Sequence, residues 1–213
     1  MHVFYLHGFA SSAQSSKAAY YASKLTPHGI SLRTPDFNEP DFLSMTITRM
    51  IEQVGRAIED AGGGPVVLIG SSLGGFVAVE AATRWPERVT KLVLLAPALD
   101  LRAERMGELG DRGLADWKAT GETMVFHYGY GRMLPIGYGL YKDARQYDTM
   151  NAVVTLPIQI FQGTRDAAVS PKLVEAWSAA RPNVELHMLD DDHQLIGSLD
   201  YIWEKMSGFL NLL

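Results

Sequence analysis

The sequence predicts an α/β protein built on a parallel sheet with helices on both faces, and two patterns carry that prediction. Apolar runs of four to six residues recur along the chain, and they are continuous rather than alternating. A strand buried on one face alternates; a strand covered on both faces stays apolar throughout. Between these runs lie longer stretches whose apolar residues fall at helical spacing, which gives the strand–helix alternation of an α/β domain.

The elements follow in order. Val3-Phe4-Tyr5-Leu6 is the first buried strand, and it ends at His7-Gly8. Ser15 to Leu25 is a helix with serines available to cap it, stopped by Pro27-His28-Gly29. Ile30 to Thr34 is a short second strand. Phe42 to Ala61 carries Met50, Ile51, Val54 and Ile58 at helical spacing, and Gly62-Gly63-Gly64 breaks it. Pro65 to Ile69 is the clearest strand, being β-branched and too short for a helix. Leu73 to Trp85 is a helix closed by Pro86, and Leu92 to Leu95 is a strand stopped at Pro97. Pro157 to Phe161 and Val184 to Leu189 are the last strands, followed by helices at Ser170 to Ala180 and Leu195 to Leu213.

One stretch breaks the alternation. From 101 to 155 the chain is rich in glycine, shows no strong strand and holds Trp117, Phe126, Tyr128, Tyr130, Tyr138, Tyr141 and Tyr147. An insertion of this length over a parallel sheet is expected to be a cap or lid, because ligands bind outside the carboxyl ends of the strands. Trp117, Phe126 and Tyr128 are the expected substrate contacts. The alternative is an irregular excursion whose aromatics pack on the sheet edge.

Composition narrows the function. The 213 residues are 47% hydrophobic and 20% charged, which excludes disordered, collagen-like and coiled-coil classes. The 19 basic and 24 acidic side chains give −5, with no two Lys or Arg adjacent, so nucleic acid is not an expected partner. Absence of cysteine removes disulfides, thiolate metal sites and a cysteine nucleophile together. No stretch of 18 apolar residues crosses a bilayer, and Met1 to Leu6 has no leader pattern; a cytoplasmic location is expected.

The strongest chemical signal is Gly70-Ser71-Ser72-Leu73-Gly74, directly after a buried strand and before a helix. In that context G-x-S-x-G is a tight turn that exposes the central hydroxyl, and side chains at either glycine would collide across it. Ser72 is the candidate nucleophile; Ser71 occupies the variable position. A serine hydroxyl needs a base. Of six histidines, His193 lies in the loop between the last strand and last helix, where a strand-end base belongs, and His127 is the fallback. The base needs a carboxylate to fix its tautomer. Asp166 lies just beyond a strand and 27 residues before His193; Asp100 is its rival, and Asp190, Asp191 and Asp192 are expected to form a solvated acidic turn. An oxyanion calls for backbone donors, for which Leu73 follows the nucleophile and Phe9 follows the first strand, with Ala10 as alternative.

Ser72, Asp166 and His193 in this chain order, the Leu6-His7-Gly8-Phe9 loop and the elbow together resemble the α/β-hydrolase superfamily. The resemblance covers nearly the whole chain apart from the insertion, which corresponds to the variable cap. Leu6-His7-Gly8-Phe9-Ala10-Ser11-Ser12 further resembles the small bacterial YqiA-type esterases. Members commonly carry two strands before the His-Gly loop, whereas this chain starts at that strand. The resemblance therefore implies a shortened, mostly parallel sheet of about six strands. It implies a serine carboxylesterase acting on a small-molecule ester, with no metal and no organic cofactor. Thioesterase, carbon–carbon bond hydrolase, peptidase and lipase share the triad, and a hydrolase-fold small-ligand binding protein is the non-enzyme alternative. A serine at the elbow argues against dehalogenase or epoxide-hydrolase chemistry, which needs a carboxylate there.

Overall fold

A computed structural model describes residues 1–101 and 106–212, with side chains from residue 112 onward in the second stretch. Among them the strands are β1 (His2–Leu6), β2 (Leu32–Arg33), β3 (Val66–Ser71), β4 (Val89–Leu95), β5 (Glu122–His127), β6 (Arg132–Gly137), β7 (Ile158–Gly163) and β8 (Val184–Leu189). The helices are α1 (Ser16–Leu25), α2 (Ile47–Asp60), α3 (Leu73–Arg84), α4 (Met106–Thr120), α5 (Gly139–Ala144), α6 (Pro171–Ala179) and α7 (Leu199–Phe209). Among the described residues no helix is long and apolar enough to cross a membrane.

A six-stranded sheet runs in the order β2-β1-β3-β4-β7-β8, with every pairing parallel. Successive side chains of a strand point to opposite faces, and both faces here are apolar. On one face Phe4, Leu6, Val66, Leu68, Leu92, Leu94, Ile158 and Ile160 pack with α2, α3 and α6. On the other, Val3, Tyr5, Val67, Ile69, Val93, Leu95 and Phe161 pack with α1 and α7. This division explains why the strands are continuous apolar runs.

The strand order positions the site. From β1 the chain steps one way to β2 and then the other way to β3, so the connections after β1 and β3 diverge and leave a crevice at the strands' carboxyl ends. Leu6 of β1 pairs beside Gly70 of β3, which brings the two loops together.

Among the boundaries that differ from the sequence expectation, two have clear local reasons. Thr46 caps α2 by accepting from Arg49 N at 3.1 Å, so that helix starts at Ile47 and not at Phe42. The stretch before it is an irregular segment tied to α2 by Arg49 Nη2, which donates to the Phe37 and Asp41 carbonyls. Leu195 sits in the left-handed region at φ 55°, and a short turn precedes α7.

The insertion corrects a third expectation. Where no strong strand was expected, β5 and β6 form an antiparallel hairpin separate from the main sheet. Its outward residues, Met124, Phe126 and Met133, are apolar and exposed, so the hairpin lacks the polar-out alternation by which a half-buried strand is recognised. The neighbouring α5 is fixed to the first turn of α2: Thr48 N and Oγ1 donate to the Asp143 carboxylate at 2.7 and 2.8 Å. That carboxylate also faces the positive end of the α2 dipole. Asp143→Ala is expected to lower stability by about 1–3 kcal/mol, read from urea unfolding midpoints; a loss within error would mean the two bonds are replaced by water.

Candidate active site

The elbow is built by exclusion. Ser72 adopts φ 53° and ψ −118°, a conformation that costs about 1–3 kcal/mol in a non-glycine residue. It is held by Ser72 N donating to Leu95 O at 2.9 Å, and by its own carbonyl accepting from Gly75 N and Ala98 N at 2.8 and 3.1 Å. A Cβ on Gly70 would stand 2.5 Å from Gly74 O, and one on Gly74 would run into the Leu6 carbonyl. The glycines of the motif are therefore required by the closeness of β1, β3 and α3. Ser71 faces away, with its hydroxyl against the Tyr5 phenol, whose pKa burial pushes up to about 12.

Beyond β7 and β8 the chain brings two more groups to Ser72. His193 Nε2 lies 3.1 Å from Ser72 Oγ, and His193 Nδ1 lies 2.8 Å from Asp166 Oδ2. The Asp166 side chain is fully enclosed. Its Oδ1 accepts from Ala168 N and Val169 N, both at 2.8 Å, and its Oδ2 accepts from Gln162 Nε2 at 2.9 Å. Burial acts to raise this carboxyl. The His193 and Val169 hydrogen bonds, the imidazole's charge and Gln162 outweigh it and hold the group below its ordinary range. An ionised carboxylate only accepts, so Nδ1 carries the proton and Nε2 is the acceptor for the Ser72 hydroxyl.

The opposite wall is the turn after β1. A Cβ on Gly8 would stand 3.3 Å from Ser72 Cβ and 3.9 Å from its Oγ, so the turn that begins at Gly8 lies against Ser72. Leu73 N–H opens α3, where the first N–H groups have no intrahelical acceptor. Ser72, His193 and Asp166 are thus in contact in the crevice, with the start of α3 following Ser72 and Gly8 against it. Asp100 lies beyond β4, while the Nδ1 position of His193 is taken by Asp166.

The aromatic residues of the insertion divide. Trp117 is 5% exposed, donates from Nε1 to Ile136 O at 3.0 Å and meets Tyr138 edge-on at 5.7 Å. Its indole ties α4 to the hairpin and is used in packing. Phe126 and Tyr128 are exposed and stand edge to face at 5.2 Å. His127 is fully buried and hydrogen-bonded to Asn38, while the place at Ser72 Oγ is taken by His193. The acidic turn is not uniformly solvated: Asp190 pairs with Arg165 at the surface, whereas Asp191 is buried and accepts from Ser198 Oγ at 2.7 Å. Among the described residues no cluster of three His, Asp or Glu side chains is arranged to hold a metal ion.

Comparison with known proteins places the chain. The model of the uncharacterised protein family UPF0227 matches residues 2–210. The chain belongs to that family. It is 27% identical over 177 residues to the mouse palmitoyl-protein thioesterase ABHD10, covering 76% of this chain and 60% of the relative. The UPF0227 chain thus spans somewhat less than two thirds of that relative. Among solved structures, the mouse alpha/beta hydrolase domain-containing protein 10 superposes with a TM-score of 0.82 at 21% identity, covering 99% of this chain and 89% of that one. Est1E from Butyrivibrio proteoclasticus with ferulic acid bound gives 0.83 at 20% identity, covering 98% and 87%. At these identities the likeness shows the fold, which is that of the α/β-hydrolases.

Two side chains that support this site in the UPF0227 chain were not singled out from sequence. Gln162, at the end of β7, is fully buried and holds Asp166; a polar residue closing an apolar strand was the available signal. Lys17, in the first turn of α1, is 8% exposed and donates from Nζ to Gln194 O at 3.1 Å, beside His193. Nothing local distinguishes it from a solvated lysine. Burial lowers its pKa to about 8, against the pull of Asp166, Asp192 and Asp191. From the ordinary 10.5 down to 8 the unfolded chain binds more protons than the folded one, so this group's penalty fades as pH rises through that window. Wild type is expected to gain about 3 kcal/mol across it relative to Lys17→Met, measured by urea unfolding. Parallel pH profiles for the two proteins would sink the assignment.

Proposed function

We propose that this chain is a serine hydrolase that cleaves carboxylic esters through an acyl-enzyme on Ser72. The observation that carries the proposal is the connected line from Ser72 Oγ to His193 Nε2 at 3.1 Å and from His193 Nδ1 to Asp166 Oδ2 at 2.8 Å. It stands on a strained elbow in an α/β-hydrolase fold.

His193 takes the Ser72 proton as Oγ attacks the carbonyl carbon, and Asp166 stabilises the imidazolium that forms. The carbonyl oxygen becomes an oxyanion, received by Leu73 N–H and by Phe9 N–H, with Ala10 N–H the alternative donor. Collapse expels the alcohol, which His193 protonates. Water then enters, gives a proton to the same nitrogen and attacks the acyl carbon, releasing the acid and restoring Ser72. Every proton removed is returned by one imidazole.

An acyl thioester is the second reading, favoured by the palmitoyl-protein thioesterase relative, since the same steps expel a thiol. Phe126 and Tyr128 are the proposed contacts for an apolar acyl group, and Trp117 acts on that group only by holding the hairpin. Hydrolysis of p-nitrophenyl esters of graded acyl length, beside acyl-coenzyme A thioesters, separates the readings. The expected outcome is turnover of esters by wild type, a fall of about ten-thousandfold or more in kcat for Ser72→Ala, and a comparable fall for Asp166→Asn, whose amide favours the wrong tautomer. Turnover confined to thioesters would select the second reading. Unchanged activity in Ser72→Ala would end both.

A further inference from the structure

The turn that faces Ser72 is itself strained. Ser11 N donates to Gly8 O at 3.3 Å, which closes a β-turn with Phe9 and Ala10 at its centre. Ala10 has φ 53°, the sign that a type II turn requires at this position and that glycine normally supplies. A left-handed alanine costs about 1–2 kcal/mol. Relaxing to the commoner type I form would turn over the peptide between Phe9 and Ala10, which carries the Ala10 N–H, one residue on from the Gly8 that lies against Ser72.

What opposes that relaxation comes from the insertion and from the loop after β2. Gly129, in the β5–β6 turn, donates from N to Ala10 O at 3.2 Å. Asn38 donates from Nδ2 to Ser11 O at 2.9 Å and to Asp36 Oδ1 at 2.8 Å. Both partners are acceptors, so the amide can point only one way and Oδ1 faces His127. His127 Nε2 lies 3.1 Å from that oxygen, and its Nδ1 accepts from Tyr130 N at 3.2 Å. The imidazole is therefore the neutral Nε2–H tautomer. Its pKa is lowered by burial and then by the nearby His7, with Asp36 and Arg132 the other charged groups facing it. Tyr130 stacks on the His127 ring at 4.2 Å. Phe42 meets the same ring edge-on at 4.8 Å and leans on Phe9 at 5.5 Å.

We propose that His127 and Asn38 are positioning residues: a buried pair that docks the β5–β6 turn onto residues 8–11 and holds Phe9 and Ala10 where a developing oxyanion is received. This rests on the hydrolase reading above. It makes the insertion a structural part of the acyl-transfer site, acting through the backbone of the turn without touching substrate.

The test compares His127→Phe, which keeps the ring stack and removes both hydrogen bonds, with His127→Gln, whose amide supplies a donor and an acceptor. Ester kcat, KM, labelling of Ser72 by a fluorophosphonate, inhibition by a boronic acid and Tm are measured for each. The expected result for His127→Phe is a ten- to hundredfold fall in kcat and kcat/KM together, KM within about threefold, and boronic acid binding weakened in step. His127→Gln is expected to recover most of the loss. Asn38→Leu should fall similarly, and the double variant little further than either, because both act along one route.

Gly129→Ala guards against a folding artefact. The glycine is exposed, yet a Cβ there would stand 2.9 Å from Ser12 Cβ and 3.1 Å from the Ser11 carbonyl carbon, prying the hairpin from the turn without opening the core. It should lower kcat at an unchanged Tm. Wild-type kcat in folded His127→Phe and Gly129→Ala would overturn the inference while leaving the hydrolase reading standing, as would losses that follow Tm and are not recovered by His127→Gln. A wild type that neither hydrolyses esters or thioesters nor labels at Ser72 would remove the hydrolase reading, and this inference with it.

Discussion

The left-handed backbone at Ser72 is the constraint to which the rest of the site answers. A residue at φ 53° and ψ −118° between a strand and a helix folds the chain back within one step. That brings α3 against β1 so closely that Gly70 and Gly74 leave no room for a Cβ. The same closeness aims Ser72 out of the sheet, puts the α3 N-terminus beneath it and seats the β1 turn alongside. Strain here is tolerable because the flanking β3 is buried on both faces and paired on both edges, so the elbow's cost is spread over an element that would have to unfold as a unit.

A second constraint follows from the topology. Ser72 leaves β3, whereas Asp166 and His193 leave β7 and β8, and β4 lies between. The acidic turn before His193 must therefore fold back over the sheet's end. Gly163 permits this, since a Cβ there would stand 2.5 Å from Asp191 O. Thr164 N on Leu189 O and Arg165 N on Asp191 O then stitch the two connections together. Lys17 closes the arrangement from α1. Its buried charge is a stability cost retained next to His193, where it fixes the Gln194 carbonyl and faces three aspartates.

The parts of the molecule that follow from near-neighbour chemistry were legible in the sequence. Continuous apolar runs marked β1, β3, β4 and β7 because both sheet faces are covered, and the Gly70–Gly74 motif together with two strand-end loops brought Ser72, His193 and Asp166 forward, with Asp100 as the rival carboxylate. The supports were not legible. Lys17, Asn38 and Gln162 matter through partners 177, 27 and 4 residues away, and only Gln162 is close enough to its partner to leave a local trace. Trp117 shows the converse: a large aromatic in a cap-like segment suggested a ligand contact, while its indole N–H is given to Ile136 O.

The hairpin shows why composition misleads where phase decides. Along β5 the side chains alternate, so Met124 and Phe126 face outward while Thr123, Val125 and His127 turn in. The outward set carries the apolar character that makes the segment look like a lid. The inward set includes the buried imidazole on which the turn at 128–131 is docked. A one-residue slip of the β5–β6 register would exchange the two sets, exposing His127 and burying Phe126 against Asn38, whose Oδ1 would then lose the His127 N–H. A buried polar pair excludes that alternative more sharply than apolar packing does, because an apolar side chain tolerates many neighbours and a buried amide oxygen left without a donor costs its full desolvation. The same pair that fixes the hairpin's register therefore also fixes the turn facing Ser72, and the precision of one cannot be varied without the other.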